Sequence, residues 1–153
     1  MRREDISRLV SVDGGYRLVI EPGELDATRF DNELRQGREA AADDPHAAAV
    51  HLREALHEWR GNPFGVIDGI DAIDMTRSYL NQRRAELLDQ LALVELAAGR
   101  HHELIADIRR WCAEFPDSES LHTSLVIAQY RAGDPVGALE SCRAFARRFD
   151  EDY

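Results

Sequence analysis

Residues Leu87–Phe115, LLDQLALVELAAGRHHELIADIRRWCAEF, are followed 34 residues later by Leu121–Phe149, LHTSLVIAQYRAGDPVGALESCRAFARRF. In that shift Leu87 falls on Leu121, Leu91 on Leu125, Ala98-Gly99 on Ala132-Gly133, Arg109 on Arg143, Trp111 on Phe145 and Phe115 on Phe149. Each copy reads as an apolar helix, a glycine stop and a second apolar helix. A helix–turn–helix period of about 34 residues is that of tetratricopeptide arrays. One such unit cannot bury its apolar face alone, so the repetition predicts stacked helix pairs, an architecture that more often grips other proteins than catalyses.

Working outward, Asp134-Pro135-Val136-Gly137-Ala138 echoes Asp44-Pro45-His46-Ala47-Ala48, with Arg53 and Arg143 at matching places in the helices that follow. Asp44 before Pro45 predicts a capped start with proline in the first helical position. A helix from an Asp26 cap to about Ala42 precedes it, with Leu25 and Phe30 spaced for a hydrophobic staple. The second helix stops at Gly61-Asn62-Pro63, residues 61–73 read as irregular, and Asp74 is expected to cap a long helix to about Ala98. Pro116 ends the helix through Phe115, Asp117 or Ser118 opens the next, and the last follows Pro135. Before all of these, Ile6, Leu9, Val10, Val12, Tyr16, Leu18 and Ile20 flank Asp13-Gly14-Gly15 and predict a hairpin. A lone hairpin is marginal in water, so it must pack on something or belong to a larger sheet. The expected fold class is all-α, a tetratricopeptide-like stack of about three helix pairs preceded by a short N-terminal β-hairpin, with residues 1–22 forming the hairpin and 23–153 the helical domain.

Composition narrows function. The 153 residues carry a formal charge of −10, and all 19 basic residues are arginine. That acidity argues against this chain alone wrapping nucleic acid, which needs a concentrated basic face. Met1-Arg2-Arg3-Glu4-Asp5 has no apolar stretch behind it, so Cys112 and Cys142, in apolar helical patterns, are expected as buried, reduced thiols in a cytoplasmic protein. No apolar run is long enough to span a bilayer.

The titratable residues form no site by spacing. His46, His51 and His57 do not share a helix face at i, i+4, and His101-His102 has no ligands to complete a tetrahedral site. Asp68, Asp71 and Asp74 lack the spacing and terminal Glu of a calcium loop. Neither a phosphate-binding glycine loop nor a nucleophile elbow occurs, so no catalytic, cofactor or metal residue is expected. The partner-contact candidates are Tyr16, Trp59, Arg60, Arg109 and Arg143. Trp59 reads first as a core plug where the second helix ends and second as a partner contact with Arg60. Tyr16 reads as hairpin packing or recognition. Arg109 and Arg143, with Arg100, Arg110, Arg147 and Arg148, read as a solvated face or as a patch for a carboxylate, phosphate or acidic surface.

The order of signals resembles one family. Gly14-Gly15-Tyr16-Arg17-Leu18, Leu25-Asp26-Ala27-Thr28-Arg29-Phe30, Ala55-Leu56-His57-Glu58-Trp59-Arg60-Gly61 and Arg84-Ala85-Glu86-Leu87 match it. So do Gly99-Arg100-His101-His102-Glu103-Leu104 and Gln129-Tyr130-Arg131-Ala132-Gly133 with Ala138-Leu139. Together they are similar to the bacterial transcriptional activator domain (BTAD) of SARP-type (AfsR/DnrI/EmbR-like) transcriptional regulators, in which a winged-helix DNA-binding domain precedes a tetratricopeptide-like domain. Cys142 stands where the family often has an aromatic residue, and the acidic tail lacks the expected Leu-Gly-Val-x-Pro ending. The resemblance implies that residues 6–18 are the wing of a winged helix, with the groove-entering helices before them. It implies a non-enzymatic regulatory and protein-interaction module, with a protein partner or self-association, DNA reached only through that upstream domain, and no membrane. The alternative from the residues alone is a free-standing scaffold or sensor that binds a peptide or small molecule.

Overall fold

The computed structural model describes residues 8–152. Strands β1 (Leu9–Val12) and β2 (Gly15–Leu18) lead into helices α1 (Asp26–Ala40), α2 (Pro45–His57), α3 (Asp71–Ala97), α4 (His101–Glu114), α5 (Glu119–Arg131) and α6 (Pro135–Asp152). The strands pair antiparallel, Leu9 opposite Leu18 and Val12 opposite Gly15. The fold is all-α with an N-terminal hairpin, and the helices form three successive pairs, α1 with α2, α3 with α4 and α5 with α6, stacked so that α2 lies along α3, α4 along α5 and α3 against α5. Ile6 lies outside the described residues.

The repeat is built by identical stops. Gly99 and Gly133 both adopt the left-handed conformation, φ 80° and 85°. Arg100 N–H donates to Glu95 O at 3.1 Å, and Asp134 N–H to Gln129 O at 2.9 Å. These bonds close the Schellman ends of α3 and α5, where glycine avoids the Cβ penalty. The Asp-Pro echo is likewise one device used twice. Asp44 Oδ1 accepts from Ala47 N–H at 3.0 Å and Asp134 Oδ1 from Gly137 N–H at 2.8 Å. Ser118 caps α5 by accepting from Leu121 N–H at 3.2 Å.

Two expected caps are wrong. Asp26 is the first helical residue of α1, Leu25 stands at the N-cap, and the Asp26 carboxylate accepts from Ala27 N–H. Leu25 is exposed and Phe30 is buried. Arg29 holds the lead-in instead, donating to Gly23 O at 2.7 Å and Glu24 O at 3.1 Å. Helix α3 starts at Asp71 rather than at an Asp74 cap. Asp74 is drawn to Arg77 Nη1 at 2.7 Å, while the same guanidinium donates to Pro63 O and Ile67 O and pins the preceding loop.

The core runs continuously from Phe30, Leu34 and Leu52 through Leu87, Leu88 and Leu91 to Ile108, Trp111 and Leu121. Gly37 allows α1 to approach α2 closely, because a Cβ there would meet Leu52 at 2.7 Å. Among the described residues one charge is fully buried: Glu95, 0% exposed, accepts from Arg53 Nε of α2 at 2.6 Å and from Arg100 Nε. Cys112 is buried and burial pushes its thiol up to about 11. Cys142 is exposed, contrary to expectation. No helix among the described residues is long and apolar enough to cross a membrane.

Candidate interaction surface around Trp59

Where α2 ends, Trp59 is partly buried and packs against the core. Its ring sits 6.0 Å from that of Phe30, tilted by 57°. The expected core plug is therefore a half-buried residue packed against the core edge. Across it comes Arg84 of α3, whose guanidinium lies 5.2 Å from the Trp59 ring centroid and 5.8 Å from that of Phe115. Guanidinium planes favour aromatic faces because the ring quadrupole attracts the cation. The carboxylate of Glu114, the last residue of α4, pairs with Arg84 Nη1. Burial, then Arg110, pulls the Arg84 pKa below its ordinary value. Arg84 Nε is buried and has no acceptor among the described residues.

Two clefts open beside this indole. One, of about 220 Å³, is walled by Phe30, Trp59, Pro63, Phe64 and Leu80, with Asp26 and Glu58 at its edge. The second is formed by Trp59, Asn62, Asn81, Arg84, Glu114 and Phe115. Phe64 holds φ 63°, a left-handed conformation disfavoured for a bulky residue. Its ring is exposed, as are Val66, Ile67 and Ile70 after it.

The hairpin is tied to the same corner. Glu24 Oε1 pairs with Arg8 at 2.7 Å, and its other oxygen accepts from Glu21 N–H at 2.8 Å. Arg29 grips Glu58 at the end of α2 through Nε (2.8 Å) and Nη2 (2.6 Å) while holding the Gly23 and Glu24 carbonyls. The two-pronged bond raises the pKa of Arg29 and lowers that of Glu58. Yet every residue of both strands is exposed, Tyr16 at 76%, so the hairpin does not dock on α1.

The sequence candidates separate. Trp59 and Arg60 line the 220 Å³ cleft. Arg109 on α4 and Arg143 on α6 are exposed and line neither cleft, and Tyr16 stands on the hairpin. Arg84, Asn62 and Asn81 were missed, since their proximity arises only when α3 crosses the ends of α2 and α4. Arg29 and Glu58, 29 residues apart, were missed for the same reason. Among the described residues no group of three or more His, Cys, Asp or Glu is placed to hold a metal. His51 instead pairs with Glu33 at 2.8 Å, and His122 stacks on Phe145 at 4.2 Å.

Comparison with known proteins agrees with this architecture. The profile of the bacterial transcriptional activator domain matches residues 25–152. The transcriptional regulator RedD of Streptomyces coelicolor is 32% identical over 149 residues, covering 94% of this chain and 41% of RedD. The regulatory protein DnrI of Streptomyces peucetius is 29% identical over 129 residues, covering 84% of this chain and 47% of DnrI. The structure of Mycobacterium tuberculosis EmbR in complex with a low-affinity phosphopeptide superposes with a TM-score of 0.84 at 29% identity, over 95% of this chain and 38% of EmbR. The chain thus spans less than half the length of these relatives. With the profile covering the whole helical stack, the chain belongs to the bacterial transcriptional activator domain family of SARP-type regulators.

Proposed function

We propose that the chain is a non-enzymatic regulatory module of a bacterial transcriptional regulator, acting in the cytoplasm. In this reading residues 1–22 are the wing side of a DNA-binding domain and residues 23–153 the helical interaction domain. The stack fixes where the DNA-binding domain sits, and binding of a protein partner or self-association changes how two such domains are spaced. One observation carries this reading. The hairpin exposes apolar residues on both faces, Leu9, Val10, Val12, Leu18, Val19 and Ile20, while its exit is clamped to α1 and α2 by Arg29 and Glu58. A hairpin whose strands lie exposed while its exit is held by ion pairs suits an element that completes its sheet elsewhere.

The test is Arg29→Ala in a regulator carrying a winged-helix domain in frame ahead of the hairpin. Operator affinity in a gel shift should fall while helical circular dichroism is unchanged; unchanged affinity would sink the coupling. The 153 residues alone should give no sequence-specific shift at physiological salt. A second reading, a free-standing scaffold for a peptide or small molecule, is favoured by the clefts at Trp59. Coding sequence for a winged helix in frame before Met1 supports the regulator, and its absence favours the scaffold.

A further inference from the structure

The clefts beside Trp59 share Trp59, Gly61 and Asn62, so a ligand's two groups diverging from one atom can straddle the indole. Their chemistry differs. One is lined by Phe30, Trp59, Pro63, Phe64 and Leu80 together with Asp26, Glu58 and Arg60, and at about 220 Å³ it is smaller than the roughly 300–1,000 Å³ of drug-sized sites, which suits a single side chain. The other presents a cation. Arg84 is wedged between two rings with a buried Nε–H that lacks an acceptor. Asn62 and Asn81 line the same cleft, and their side-chain amides make no hydrogen bond among the described residues. A guanidinium paired through Nη1 alone, in a cleft that also holds two carboxamides, is complementary to one carboxylate and an adjoining amide.

We propose that this double cleft binds the C-terminal residue of a partner polypeptide. Its α-carboxylate sits on Arg84, and its apolar side chain enters the cavity between Phe30, Trp59, Phe64 and Leu80. Asn62, which lines both clefts, meets the last peptide amide. Glu114 is the internal occupant of this anion position: its side chain is 41% exposed at the end of α4, so it swings into water when a ligand carboxylate arrives. The exchange of one carboxylate for another leaves Arg84 paired throughout, so no charge is stranded. With a net charge of −10 the chain repels polyanions at long range, which favours a single terminal carboxylate over an acidic tract. Binding here does not depend on the coupling to DNA, so either can fail without the other.

The test uses the ¹⁵N-labelled 153-residue chain and capped tripeptides, read at the Trp indole N–H signals. Trp111, 2% exposed in the core, is the internal reference for Trp59. Acetyl-Gly-Gly-Leu with a free C-terminus should shift the Trp59 signal saturably and leave Trp111 in place. Its C-terminal amide, and acetyl-Gly-Leu-Glu-amide with only a side-chain carboxylate, should bind at least about tenfold more weakly, a 1.4 kcal/mol difference. Glu114→Gln removes the competitor and should tighten the free acid several-fold, whereas Arg84→Gln should abolish its binding. Three results overturn the proposal: no Trp59 shift with the free acid, equal binding of either amide, or unchanged or weaker binding in Glu114→Gln. Glu114→Gln keeps the test decisive even where Arg84→Gln fails to fold.

Discussion

Removing the charge at Glu95 should cost less than removing its partners. Glu95 is 0% exposed, whereas the side chains of Arg53 and Arg100 are 41% and 39% exposed. In Glu95→Gln both guanidinium groups turn to water and the amide remains in the core. The repeat shows that this position tolerates a carboxamide: one period on stands Gln129, 1% exposed, its Oε1 without a partner. The loss is then that of charge-assisted bonds softened by re-solvation, about 1–2 kcal/mol. Arg53→Ala with Arg100→Ala leaves a carboxylate stranded in the core, about 3–5 kcal/mol. For a chain of this length each kcal/mol moves Tm by roughly 2–4 °C. Urea unfolding followed by circular dichroism measures both losses, and a Glu95→Gln loss exceeding that of the double arginine variant would refute the reasoning.

Three further outcomes are expected. Gly37→Ala should destabilise by about 1–2 kcal/mol although alanine is the better helix former, since its methyl would meet Leu52 at 2.7 Å; a higher urea midpoint would contradict this. Trp111→Ala should cost about 3–5 kcal/mol and the half-buried Trp59→Ala about 2 kcal/mol, so equal unfolding midpoints would mean Trp59 is a core residue after all. Native protein should react with one equivalent of a disulfide reagent at pH 8, at Cys142, because Cys112 is buried with its pKa near 11; Cys142→Ser should abolish the reaction.

What was legible in the sequence was what is local. The Gly99 and Gly133 stops and the Asp44 and Asp134 caps are satisfied within a few residues, so spacing reveals them. Asp26 and Asp74 carry the same cap signal but lie inside their helices, Asp26 accepting from Ala27 N–H and Asp74 pairing with Arg77. Arg29 takes the backbone before α1 and pairs with Glu58, and Arg77 binds Asp74 together with the loop carbonyls. The interaction surface divides in the same way. Trp59 at a glycine stop is a visible oddity, but Arg84 gains meaning only from Trp59 and Phe115, which lie 25 residues before it and 31 after it in sequence.

The same repeat explains the misplacement of Cys142. Shifting Ile108 by one period lands on Cys142, and shifting Trp111 lands on Phe145. In α4 both positions are buried, because α5 packs along that helix. In α6 the pattern is as apolar, yet Cys142 and Leu139 are exposed and Phe145 is only half-buried, since no further helix covers them among the described residues. Burial at these positions is therefore a property of the neighbour and not of the residue. Periodicity states which face of a helix wants cover, and only the stack decides whether that face receives it.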